Sequence, residues 1–162
     1  MHISSPITFG MQVNAPAPWH MDWAWGVPLI VVTVVFHVFG LGLIRRNGLR
    51  LYGEFTRRRR HMTAFTVVMG VITLLATCLH AIETGVWAFA YCRIHALPDF
   101  KSAMLYSLGA MTTFGHENLF LEAHWQLLGE IEALNGWLLF GLTTAFLFGM
   151  FHEVSPADPE LH

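Results

Sequence analysis

Between Val27 and Ile44 the chain runs for 18 residues without an Asp, Glu, Lys or Arg, and two further stretches, Met62 to Tyr91 and Leu127 to Phe151, are nearly as apolar. A hydrocarbon core of about 30 Å takes roughly 20 helical residues to cross. Runs of this length predict membrane-spanning helices, because lipid offers no partner to backbone N–H and C=O groups outside a helix or a closed barrel. Composition agrees, since 54% hydrophobic and 12% charged residues are too apolar a mixture for an ordinary soluble domain. Three spans in 162 residues leave room for short connections and for no soluble catalytic domain.

The first span is preceded by an aromatic stretch with Trp19, Trp23 and Trp25, residues that suit a membrane interface. Residues 1–26 are expected to form an extracytoplasmic segment that is retained, since they lack the basic start and apolar run of a cleaved leader. Seven of the nine Lys and Arg (Arg45, Arg46, Arg50 and Arg57 to Arg60) lie between the first two spans. Basic connections stay on the cytoplasmic side. Residues 27–61 thus read as a spanning helix and a basic cytoplasmic loop, and the expected location is the cell (inner) membrane with the N-terminus outside. Residues 152–162 would be a short cytoplasmic tail.

From Lys101 to Thr112 the sequence is helical in character, yet 12 residues are too few to cross. This segment reads as a half-helix that enters from outside and returns. The irregular stretch after it, TTFGHENL at 112–119, resembles the potassium-channel pore-loop signature TTVGYGDL with no gap. Thr112 and Thr113 take the place of the paired threonines, Gly115 that of the first filter glycine, and Leu119 follows. The flanking text, HAIETGVWAFAY before and HWQLLGEIEALNGWLLFGLTTAFLF after, is similar to the two membrane helices of the bacterial two-helix ion-channel family.

That resemblance, which covers about Thr63 to Phe151, implies a pore domain over 62–151 with outer helix, pore helix, filter and inner helix. The implied fold is an all-α membrane protein with three transmembrane helices, a re-entrant pore helix and a filter loop per subunit, in a tetrameric pore. Filters of this superfamily replace an ion's hydration shell with backbone carbonyls. Carried over by position, the filter would comprise Thr112, Thr113, Phe114, Gly115, His116, Glu117 and Asn118, with the carbonyls of Thr113, Phe114, Gly115 and His116 and the Thr113 hydroxyl as candidate ligands. The permeant ion would be a monovalent cation, K+ or Na+, with no covalent cofactor. Partners would be three further copies, the bilayer and the permeant cations, with no nucleic acid.

Departures from the signature change that expectation at specific positions. Phe114 stands for valine, and His116 for tyrosine, where it can titrate near neutral pH. Glu117 replaces the second glycine, at a position whose backbone glycine adopts freely and a residue with a Cβ does not. Keeping positive φ there would cost about 1 to 2 kcal/mol per subunit, which argues for a different outer path and against strict potassium selectivity. Asn118 replaces the aspartate, so a negative charge moves one residue earlier. His116 and Glu117 are also candidate ligands of a divalent metal at the mouth, calcium suiting the carboxylates and zinc a mixed set.

Ionisable residues inside spans are functional candidates, because each costs free energy in lipid unless it faces the bundle interior. His80 and Glu83 share a helical face. With Glu130 and Glu132, which are two apart and cannot share a face, so that one turns inward and the other toward the outer surface, they are expected to form a buried polar network behind the filter, or, with a third-span carboxylate, a metal site. His37 reads as an interhelical hydrogen-bonder. Gly136 is the candidate gating hinge, with Thr143, Thr144 and Phe148 as cavity and gate residues below it. Cys78 and Cys92 lie about 21 Å apart along one helix, too far to bridge within a subunit.

No paired nucleophile and base, phosphate loop or cofactor motif is present, so the expected activity is conduction and not catalysis. Two other classes remain: a non-conducting relative whose loop binds or senses a metal ion, and a structural subunit of a channel complex.

Overall fold

A computed structural model of the chain describes residues 19–57, 61–115 and 118–155. Helix α1 covers His20–Thr56, α2 His61–Arg93, α3 Phe100–Met111 and α4 Gln126–Val154, with a single 3-10 turn at Ala123–Trp125 before α4. The described chain is all helical, and α1, α2 and α4 are each long and apolar enough to cross a membrane.

Helix α1 is longer than the apolar run that announces it. Its 37 residues measure about 56 Å at 1.5 Å per residue, so it outlasts a hydrocarbon core by several turns at its ends. The segment Arg45 to Thr56, expected to be loop, is a continuation of α1. Arginine, leucine and glutamate are good helix formers, and in water nothing obliges the helix to stop where the lipid does. Pro28 sits inside α1, where its ring removes one backbone bond without ending the helix.

The packing is inverted relative to a soluble bundle. On α1, Thr33 and His37 are 1% and 0% exposed, whereas Val31, Val35 and Phe39 on the opposite faces are 56%, 64% and 65% exposed. Polar groups inside and apolar groups outside are what a lipid solvent selects. The buried stripe of α1 packs between α2 and α4, and α3 fills the space between α2 and α4 at the other side of the bundle.

Two apolar clusters hold the bundle. One gathers Trp87, Tyr91, Tyr106, Met111, Leu128 and Leu139 around α3. The other joins Leu41, Ile44, Val68, Ile72 and Met150 near the far ends of the spanning helices. There, beyond the second cluster, Arg45 meets Glu153 at 2.6 Å on the surface. At the opposite end the buried Asp22 of α1 accepts the backbone N–H of Leu128 at 3.0 Å. That N–H belongs to the first turn of α4, so α1 supplies the N-terminal cap that α4's own sequence lacks.

Candidate functional site

The short helix α3 is pinned at both ends. Asp99 begins it, its carboxylate accepting the Ser102 N–H at 3.0 Å and the Ser102 hydroxyl at 2.7 Å. Those two bonds, the backbone one first, hold the Asp99 carboxyl below the usual carboxylate range. At the other end the chain turns back on the helix: Thr113 N–H donates to Ala110 O at 2.9 Å, Phe114 N–H to Gly109 O at 2.9 Å, and Gly115 N–H to Gly109 O at 3.3 Å.

This folding-back sets the direction of the next carbonyls. In a trans peptide the N–H and the preceding C=O point opposite ways. Because the Phe114 and Gly115 N–H groups face the end of α3, the carbonyls of Thr113 and Phe114 project away from it. The reversal needs unusual backbone, with Thr113 at φ 56° and Gly115 at φ 82°. Glycine takes that conformation without cost, whereas a threonine there is strained. The Thr113 hydroxyl donates to the Thr112 carbonyl at 2.7 Å. Phe114 stands 90% exposed, at an open concavity of about 960 Å3 lined also by Leu105, Leu108, Gly109, Thr113 and Leu119. Asn118 is exposed. His116 and Glu117, the candidate metal ligands, lie outside the described residues.

The polar residues expected as one network form two separate centres. The first lies where α1, α2 and α4 meet: His37 Nδ1 is 2.8 Å from Glu83 Oε1, and His80 Nδ1 is 3.4 Å from Glu83 Oε2. On their other edges the Nε2 atoms of His37 and His80 are both 3.0 Å from Thr143 Oγ1. Asn135 adds a bond from Nδ2 to Thr33 Oγ1 at 3.0 Å. The second centre belongs to α3: Glu132 accepts from Tyr91 OH at 2.6 Å and from the Ser107 hydroxyl, which also lies 2.9 Å from the Thr84 carbonyl. Glu130 is exposed on the surface of α4 and joins neither.

Sequence reasoning found the His80 and Glu83 pair from its spacing within one helix. The spacing of residues along α2 carries no information about His37, Thr143, Ser107 or Tyr91 as partners, which are set by how the helices rotate against each other. A weak signal existed in the cost of burying His37 in a span. Thr143, expected in a cavity or gate, is buried against the two histidines, while Thr144 and Phe148 are exposed.

Gly136 has a packing role in this structure. A Cβ built there would overlap the Met111 carbonyl oxygen and sit 3.0 Å from the Met111 Cα. Helix α4 therefore touches the last turn of α3 backbone to backbone, immediately before the reversed segment. No protein-family model, no curated protein and no solved structure matches this chain.

Proposed function

We propose that this chain is the subunit of a cation-conducting pore in a cell membrane, four copies surrounding an axis with the segment after α3 lining its narrow part. The observation that carries the reading is the reversal at Thr113 and Gly115, which turns the Thr113 and Phe114 carbonyls outward from a helix too short to span. Carbonyl oxygens from several chains are the groups that replace an ion's hydration shell. Irregular backbone of this kind is stable at membrane depth only where protein buries it or water fills the space it lines.

Two further features support the arrangement. Leu105 and Phe114 are 65% and 90% exposed, and neighbouring copies would cover them. The centre at Glu132, Ser107 and Tyr91 ties α3 to both α2 and α4, which would hold the reversed segment at a constant position. With Arg45, Arg46 and Arg50 on the last turns of α1, that end of the bundle is assigned to the cytoplasm.

Conduction is passive and downhill, with K+ or Na+ as the permeant ion and without strict potassium selectivity, because Glu117 replaces the second filter glycine. The test is a cation flux assay on purified protein in liposomes. Flux down an imposed K+ or Na+ gradient is expected; none under any gradient, pH or divalent condition refutes the proposal. A Glu117→Gly, His116→Tyr double substitution is expected to shift permeability toward potassium.

A further inference from the structure

The centre at His37, His80 and Glu83 is remote in sequence from the loop after α3, and conduction assigns it nothing. Its hydrogen bonds can be followed atom by atom. Glu83 is 0% exposed, and its Oε1 takes a proton donor from His37 Nδ1 at 2.8 Å. His37 then has a lone pair at Nε2, which accepts the Thr143 hydroxyl at 3.0 Å. The Thr143 oxygen in turn accepts from His80 Nε2 at 3.0 Å. A neutral imidazole that donates from Nε2 carries a lone pair at Nδ1.

The chain of bonds therefore ends on a mismatch. With His80 neutral in that tautomer, His80 Nδ1 and Glu83 Oε2 face each other at 3.4 Å as two lone pairs, and both atoms are buried without a hydrogen-bond partner. An unsatisfied buried carboxylate oxygen costs more than almost any other polar defect. What the site lacks is a cation.

We propose that His37, His80 and Glu83 bind one divalent transition-metal ion of the zinc type at the meeting of α1, α2 and α4. One donor atom from each lies within 4.8 Å of the others. Bonds of about 2.0 to 2.2 Å in tetrahedral geometry would place the donors roughly 3.3 Å apart, so a small inward adjustment of the side chains closes the set. Two imidazoles and one carboxylate select a borderline ion over calcium or magnesium, which want oxygen ligands.

Proton accounting is also satisfied. When the ion takes His37 Nδ1 and His80 Nδ1, His37 shifts its proton to Nε2, and both Nε2–H groups donate to the two lone pairs of Thr143. The Thr143 hydroxyl hydrogen then turns to its own helix, as threonines in helices do. No proton is lost, and Thr143 becomes the partner that orients both ligands. The fourth position remains for water or an added ligand. Access is from the side of His80, whose side chain is 12% exposed under the stacked ring of Phe140 at 4.4 Å.

The test uses the full chain purified in detergent, stripped with chelator and titrated with Co2+ and then Zn2+. One Co2+ per chain is expected, with the intense visible absorption of a tetrahedral site, displaced by Zn2+, and the thermal midpoint should rise on Zn2+ addition. Glu83→Gln and His80→Gln should each weaken binding by more than Thr143→Val, which should cost about 10- to 100-fold. His124→Gln, at an exposed histidine remote from the centre, should leave binding unchanged.

If the cluster variants fail to fold, the unsubstituted protein still decides. A cobalt spectrum and thermal midpoint that neither ion moves overturn the proposal and leave a proton as the only cation of the site. Binding that survives Glu83→Gln and His80→Gln overturns it as well. None of these outcomes depends on whether the protein conducts.

Discussion

Replacing Gly136 by alanine separates a hinge from a contact by the sign of the effect. In the interior of a helix, Gly→Ala stabilises by roughly 0.5 to 1 kcal/mol, because glycine loses more backbone freedom on folding. If Gly136 serves only to let α4 bend, that gain should appear in the stability of the protein. The structure predicts the reverse, since the new Cβ would overlap the Met111 carbonyl oxygen and lie 2.8 Å from its carbon. Overpacking costs typically about 1 to 3 kcal/mol, and here the obstacle is backbone, which cannot rotate aside, so the upper part of that range applies.

Subtracting the helical gain leaves a net loss of about 2 kcal/mol, or a fall in melting temperature of roughly 4 to 8 °C for a chain of this size. Tryptophan fluorescence during thermal unfolding in detergent is a suitable readout, because Trp87 and Trp125 are both buried in the cluster around α3. Gly141→Ala provides the internal control, as nothing lies within 4 Å of a Cβ at that position on the same helix. It should be neutral or stabilising. A Gly136→Ala protein as stable as Gly141→Ala would refute the packing argument.

Other expectations follow from single bonds. Asp22→Ala should destabilise the protein by about 1 kcal/mol through loss of the cap on α4, and Asp22→Asn by less; equal stabilities of the two in thermal unfolding would contradict the capping role. Tyr91→Phe deprives the buried Glu132 of a donor at 2.6 Å and should cost about 1 to 3 kcal/mol, the penalty of a buried polar group left without its partner. Denaturant titration measures it, and no change would mean that Ser107 alone satisfies the carboxylate. Asp99 has a lowered carboxyl pKa in the folded chain, so its stabilisation of α3 is fully present above the ordinary aspartate value and is lost as pH falls through the lowered one. Amide exchange in the first turn of α3 should accelerate over that acidic window, and Asp99→Asn should flatten the dependence.

How far the chain can be read in one dimension depends on whether a property is local. The span from Met62 to Tyr91 and that from Leu127 to Phe151 correspond to α2 and α4 within a few residues, because hydropathy summed over a helix length is a local quantity. The short helix expected over Lys101 to Thr112 is α3, displaced by one residue. At Arg45 the difference has an equally local cause: charge marks where an apolar run ends, and α1 continues to Thr56 because its residues still favour a helix.

For the polar residues the outcome differs with the kind of neighbour. His80 and Glu83 are adjacent through the helical repeat, so their shared face was legible. Glu132 is expected beside them, yet it faces Tyr91 and Ser107, and Glu130 two residues away is exposed. A helix turns about 100° per residue, and only the neighbours it meets decide which of two such carboxylates is inside.

Sequence by itself therefore determined that this chain has three helices long and apolar enough to cross a membrane, that a helix too short to span follows the second of them, and that ionisable groups lie inside them. Tertiary structure decided that His37 completes a centre with His80, Glu83 and Thr143, that Asp22 caps a helix 106 residues away, and that Gly136 is a contact with Met111. The physical reason is common to all three. Each depends on the rotation and approach of one helix against another, and those are set by the sum of many packing contacts that no single stretch of sequence contains.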